Sequence, residues 1–238
     1  LRCVQAEGRA TVDSAHARDL LFEAGQLHQD RFGNIDAAIE AYEGVLERAP
    51  AHEPSFRRLE AIYEERDELV HLARLYERRA AALDDADARA ALLFQAGRVA
   101  QDRLDDLERA ISLYRRVLQA TPRHSQALQR LGPIHFSRGE WDEAAEAFHE
   151  TLSVSEDADA KLSALKSLGI IYQEHRQDLV KAVQSFHAAL RSDPRDVDCL
   201  RRLGAVYKEA CDWGSAVNVF LRLAEATPDL REKVGSLL

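Results

Sequence analysis

The chain has 238 residues, 46% hydrophobic and 31% charged, with 11 glycines and 6 prolines. That balance suits stacked amphipathic helices and argues against a disordered low-complexity chain, and no run approaches the roughly 18 uninterrupted apolar residues of a membrane-inserted helix. A net charge of −9 argues against a nucleic-acid or anionic-membrane surface, which needs a basic face.

Taken in order, the chain repeats itself. Residues 1–12 align with Ala73–Asp84, the later part of a second helix, so a partial unit stands first. The next unit has Gly25 and Ala38 at small positions, Asn34 placed to cap its second helix, Tyr42 as its aromatic and Pro50 at its end. The second complete unit is irregular, with Glu60 and Leu72 at the small positions and Tyr76 as the aromatic, and should pack wider or rotated. The third carries Gly97, Asp106 as cap, Ala110, Tyr114 and Pro122. The fourth has Gly132, Ala144 and Phe148, with Gly139 at its bend and Pro133 inside its first helix, where it frees the Gln129 carbonyl. The fifth has Gly169, Asp178 as cap, Ala182, Phe186 and Pro194; the sixth has Gly204, Cys211 at its bend, Ala216, Phe220 and Pro228. Residues 229–238 then match Asp157–Lys166, a first helix, and place Leu230, Val234, Leu237 and Leu238 on an unfinished apolar edge suited to end-to-end self-association.

The spacing has a physical reading. Leu203, Val206 and Tyr207 form one helical stripe and Ala216, Val219, Phe220 and Leu223 a second, with the small residues expected where the two backbones approach. Intervals between the small positions are 35, 37, 35, 37 and 35 residues, so the chain aligns with itself without a gap at a shift of 72. The duplicated unit is therefore a pair of repeats, near 13–84, 85–156 and 157–228, within one segment covering 1–238. Links after the even repeats are longer and acidic, as in Asp84-Asp85-Ala86-Asp87, and read as helix caps rather than metal ligands.

Leu203-Gly204, Tyr207, Ala216, Phe220 and Pro228 fall at the offsets of the tetratricopeptide pattern, and the chain resembles a tetratricopeptide-repeat (TPR) protein over about six repeats. Pentatricopeptide and Sel1-like repeats fit the recurrent signature and terminal prolines less well. The resemblance implies an all-α, right-handed solenoid of stacked antiparallel helix pairs. It also implies a noncatalytic scaffold that binds a protein or peptide partner in a concave groove lined by the first helices.

Carried onto this frame, the outward stripe of the first helices supplies the candidate binding residues. Phe22, Phe94 and Phe136 are aromatics on an otherwise polar face and candidate apolar anchors, with packing against a neighbouring repeat as their competing role. Gln29, Gln101 and Gln173 recur every 72 residues and are placed to pair with an extended peptide, or are inherited by duplication. Arg57, Arg98, Lys166, Arg201 and Lys208 form a cationic strip that favours an acidic or C-terminal carboxylate ligand, against a merely solvated charged face. The two-carboxylate clamp of chaperone-binding TPR domains is not reproduced, because its positions hold Gln26, Ala61, Arg98, Pro133, Ile170 and Ala205.

Nothing catalytic assembles: there is no phosphate loop, GxSxG elbow or HExxH, and neither a cofactor nor a metal is expected. His28 and His135 replace a core tyrosine and read as packed neutral rings. Cys3, Cys199 and Cys211 lack a pairing pattern and read as small structural residues, which mildly favours a reducing, cytoplasmic setting. Two further readings stay open: a recognition arm of a larger enzyme such as a glycosyltransferase or kinase, and a self-assembling envelope component.

Overall fold

The computed structural model describes residues 14–227; Cys3, Pro228, both partial repeats and the apolar edge at Leu230–Leu238 lie outside the described residues. Twelve α-helices and no strand occur among the described residues. The first six are α1 (Ser14–Asp30), α2 (Ile35–Arg48), α3 (Glu53–Glu65), α4 (Leu69–Ala81), α5 (Ala86–Arg98) and α6 (Leu107–Ala120). The others are α7 (Ser125–Ser137), α8 (Trp141–Val154), α9 (Ala158–Ile170), α10 (Leu179–Ser192), α11 (Val197–Glu209) and α12 (Trp213–Ala226).

Two compact units divide after Pro122, so the boundary falls inside the second of the three sequence-defined pairs. The first contains α1–α6 and the second α7–α12. Within each, a helix packs chiefly on its neighbours in the chain, which is how an α-solenoid builds its core from successive small interfaces. No helix among the described residues is long and apolar enough to cross a membrane.

The expected caps form. Asn34 Oδ1 accepts from the Ala37 amide at 3.2 Å, and Asp106 and Asp178 accept from Arg109 and Lys181 amides at 3.0 Å each. The acidic links cap as well, Asp85 receiving the amides of Asp87 and Ala88, and Asp157 that of Asp159. Sequence reading missed two histidine caps: His52 Nδ1 accepts from the Ser55 amide at 3.3 Å, and His124 Nδ1 from the Ala127 amide at 3.2 Å. Asp196 holds the same position 72 residues after His124, accepting from the Cys199 amide at 2.8 Å.

The extra residue of the odd repeats is absorbed in a widened last turn. α5 and α9 run on through π-helical turns at Val99–Arg103 and Ile171–His175. The Leu104 amide reaches Val99 O and the Asp106 amide reaches Ala100 O; Phe32 and Asn34 repeat this bonding with Leu27 and His28. All six bends then use a left-handed residue: Gly33, Asp105 and Gln177 in odd repeats, Asp67, Gly139 and Cys211 in even ones, with φ between 52° and 73°. Cys199 is buried in the core, and burial pushes its thiol up to about 12, consistent with a structural residue.

One expectation needs correcting. The first-helix glycines make room for an aromatic ring rather than for a backbone. A Cβ on Gly25, Gly132 or Gly169 would lie 2.5 Å from the ring of Tyr42, Phe148 or Phe186 respectively, closer than van der Waals contact allows. Glu60 solves the problem differently, its carboxylate accepting a hydrogen bond from Tyr76 Oη at 2.9 Å. Its two helices, α3 and α4, approach each other closely at fewer places than the pairs of the other repeats.

Consecutive repeats are fastened by a polar side chain just after that aromatic. In the first unit Tyr63 Oη donates to Glu43 Oε1 at 3.0 Å, Arg78 also pairs with Glu43, and Glu77 accepts from Arg109 and Arg116 at 2.7 Å each. In the second unit the fastener is histidine: His149 Nε2 lies 2.7 Å from Tyr172 Oη, and His187 Nε2 2.8 Å from Tyr207 Oη.

Candidate functional site

In each unit part of the first-helix stripe is accessible. Arg57, Ala61, Glu64, Arg98, Pro133, Arg201, Ala205 and Lys208 are exposed, whereas their neighbours Ile62, Ile134, Ile171 and Val206 are buried. Periodicity therefore oriented the helices correctly. It did not set the depth of each side chain.

The aromatic anchors are packed rings. Phe94 is only 8% exposed, with its centroid 5.6 Å from that of Tyr114, so the expectation of an exposed ring fails there. Phe22 is half-buried between Tyr42 at 5.7 Å and His52 at 5.2 Å, and Phe136 lies 5.3 Å from Trp141 and 6.4 Å from Phe148. The second-helix aromatics fill the space left by the first-helix glycines, and the stripe aromatics pack against them.

The glutamines share a task within the chain. Gln29 Oε1 accepts from Tyr42 Oη at 3.0 Å and from Arg58 Nη1 at 3.2 Å, and Gln101 Oε1 accepts from Tyr114 Oη at 2.9 Å. In the fifth repeat the aromatic is Phe186, which has no hydroxyl, and the buried Gln173 Oε1 has no hydrogen-bond partner. The pairing of Gln with Tyr thirteen residues later was the sequence signal that could have revealed this role.

Three of the five cations are engaged locally. Arg57 bridges Glu53 at 2.8 Å and Glu60 at 2.9 Å; Lys166 pairs with Asp196 at 2.7 Å; Arg98 lies 3.8 Å from Asp102. Arg201 and Lys208 pair with no carboxylate among the described residues. An acidic ligand would meet two free cations on α11 and would compete for the rest.

Between first helices on either side of a long link, the face opens into a niche. In the first unit a cavity of about 600 Å³ lies between α3 and α5, with Phe56, Leu83, Ala88, Ala91 and Leu92 as apolar lining and Glu53, Arg57, Glu60, Arg79 and Gln95 as polar rim. Arg57 and Arg79 flank the Phe56 ring at 5.6 and 5.7 Å. In the second unit a niche of about 240 Å³ lies between α7 and α9, lined by Gln129, Pro133, Phe148, Thr151, Asp157 and Ser163 among others. Arg57 and Gln129, Tyr76 and Phe148, Arg79 and Thr151, Ala88 and Ala160, and Ala91 and Ser163 correspond across the 72-residue shift, so the two niches are copies of one feature. Neither presents an acid–base pair poised for chemistry, and no group of three potential metal ligands occurs among the described residues.

Antiparallel helix pairs packed on their chain neighbours define an all-α helical repeat protein. Tetratricopeptide-repeat (TPR) models match residues 94–161 and 19–52, and the chain carries TPR repeats there. It is 29% identical over 76 residues to the photosystem I assembly protein Ycf3 of Synechococcus sp. (strain CC9605), a match covering 32% of this chain and 42% of that protein. It is 28% identical over 153 residues to tetratricopeptide repeat protein 37 of Xenopus laevis, covering 63% of this chain and 9% of that protein. The chain thus spans less than half the length of these relatives. Among solved structures, YrrB, described as a TPR protein with an unusual peptide-binding site, superposes with a TM-score of 0.57 at 18% identity, covering 80% of this chain and 94% of that one. MamA residues 41–end from Desulfovibrio magneticus RS-1 gives 0.53 at 22% identity, covering 72% and 92%. These structural likenesses establish the fold, an all-α TPR solenoid, whose general use is as a protein-interaction scaffold.

Proposed function

We propose that the chain is a noncatalytic scaffold whose units each hold a segment of a partner protein on their first-helix face, with one partner side chain entering the niche of that unit. The recurrence of the niche at a 72-residue shift carries this reading. The two occupants differ in kind: the first niche takes a large apolar side chain with a polar end facing Arg57 and Gln95, the second a smaller polar one. The Ycf3 relatives are named as assembly proteins, and a scaffold that holds a partner while a larger complex is built is consistent with that name.

The test is selection of peptides from a random display library on the full chain, followed by affinity measurement on variants that fill the niches. Ala91→Trp and Ser163→Trp should each weaken a selected peptide tenfold or more. Val180→Trp, at an exposed second-helix position, should leave it unchanged. Equal affinity for all three variants would move binding away from the first-helix face.

A further inference from the structure

The joints between repeats in the second unit differ chemically from those in the first, and the difference is a titratable one. His149 on α8 meets Tyr172 of the π-helical turn at 2.7 Å, and His187 on α10 meets Tyr207 of α11 at 2.8 Å. The corresponding first-unit joint uses Glu43 with Tyr63, and the next uses Glu77 with two arginines. Against the effect of burial, hydrogen bonds and charge from Arg109 and Arg116 lower the Glu77 carboxyl, so that joint keeps its charge through the mildly acidic range. A histidine does not.

The surroundings of the two histidines are cationic. Arg176 of the segment after α9 and Lys181 of α10 face His149, lying 5.7 and 5.3 Å from the Tyr172 ring that His149 bonds. Asp142 and Asp178 pair with those cations rather than with the imidazole. His175 belongs to the same joint, stacked on Trp141 with centroids 3.6 Å apart. Around His187 the charged neighbours are Arg222 of α12 and Arg191 of α10, while Asp212 faces Tyr207. A proton added to either ring therefore creates a third positive charge in a partly buried joint, with the nearest carboxylates engaged elsewhere.

We infer that the second unit contains a proton-operated pair of joints, in which protonation of His149 and His187 loosens the stacking of the fourth, fifth and sixth repeats at mildly acidic pH. Burial, followed by the neighbouring cations, holds both rings below the ordinary imidazole value. The folded state thus favours the neutral ring, and the unfolded chain binds protons first as pH falls. The stabilisation is complete above about pH 6.5 and is lost progressively below it. Lys166 and Gln173, on and just after α9, and Arg201 and Lys208 on α11 ride on the elements these joints align, so a partner held by them would be released in acid.

Hydrogen exchange of the full chain at pH 7.5 and 5.0, corrected for intrinsic rates, tests the inference. In the native chain, protection of α9 and α11 should fall by about tenfold between the two pH values, with the body of α2 unchanged. In His149→Gln/His187→Gln, where the amide still bonds the tyrosine hydroxyl but does not titrate, that loss should disappear. Equal losses in native and variant chains, or retained protection in the native chain, would overturn it. The ring resonances of the native chain give a second reading that needs no variant: midpoints for His149 and His187 at or above about 6.5 would also overturn it.

Discussion

The two compact units are built to one plan and fastened by different chemistry. The first uses glutamates at its joints and admits Glu60 where the plan asks for glycine; the second keeps glycine at all three such positions and uses histidines. The comparison shows which parts of a repeat are fixed by packing and which are free to drift. The ring filling the glycine notch is fixed. The polar partner across a joint only has to bond a neighbouring hydroxyl or guanidinium, and two chemistries serve.

The strongest way to break that distinction is to fill a notch. Gly169→Ala brings a methyl to 2.5 Å from the Phe186 ring and should destabilise the second unit by about 1–3 kcal/mol in urea unfolding, despite alanine's better helix propensity. Glu60→Ala in the first unit should cost less, about 1 kcal/mol, because that site already accommodates a Cβ and loses only the Tyr76 bond and a half-exposed ion pair with Arg57. A larger loss at Glu60 than at Gly169 would contradict the notch account.

Next in size is the glutamate joint. Burial alone would raise the Glu77 carboxyl, but hydrogen bonds and charge from Arg109 and Arg116 hold it below the usual range. Glu77→Gln should lower stability by about 1 kcal/mol and raise exchange at the ends of α4 and α6. Phe186→Tyr sharpens the comparison from the other side. It supplies the hydroxyl that Gln173 lacks, and unfolding should show a gain of about 0.5–1 kcal/mol.

The smallest expected effect concerns the histidine caps. Burial, then the Arg18 and Arg79 charges, lowers the His52 ring against the opposing Asp19, and burial lowers His124. Their caps are complete above about pH 6.5 and fail as acid protonates Nδ1, the acceptor of the helix amide. Burial would raise Asp196, but the Cys199 amide and Lys166 lower it, so its cap on α11 persists until pH falls below the ordinary carboxylate range. Exchange in the first turn of α3 should therefore rise between pH 7 and 5, and His52→Asp should abolish the rise with a gain of up to about 1 kcal/mol at pH 5.

Much of the fold was legible because each repeat restates it. Spacing located all six aromatic rings, the αL bend residues Gly139 and Cys211, and the caps at Asn34, Asp106 and Asp178. The candidate site was legible as a face but not as a set of contacts. Periodicity records direction from the helix axis, so Phe94 looked accessible although Tyr114 shields it. Gln29 and Gln101 looked available because a hydrogen bond thirteen residues along the chain crosses between two helices and leaves no mark in either helix's pattern. The niches lie between first helices of successive repeats, whose separation composition does not encode.

The widened turn that closes each odd first helix has a consequence for editing the gene. Odd and even repeats are joined by connectors of two lengths, so excising a single repeat would set a connector against the wrong neighbour. Removing 72 residues, for example 85–156, rejoins Asp84 to Asp157 and leaves every remaining connector of its native type. The interchangeable part in this chain is therefore the pair, and libraries that shuffle pairs should yield folded proteins more often than libraries that shuffle single repeats.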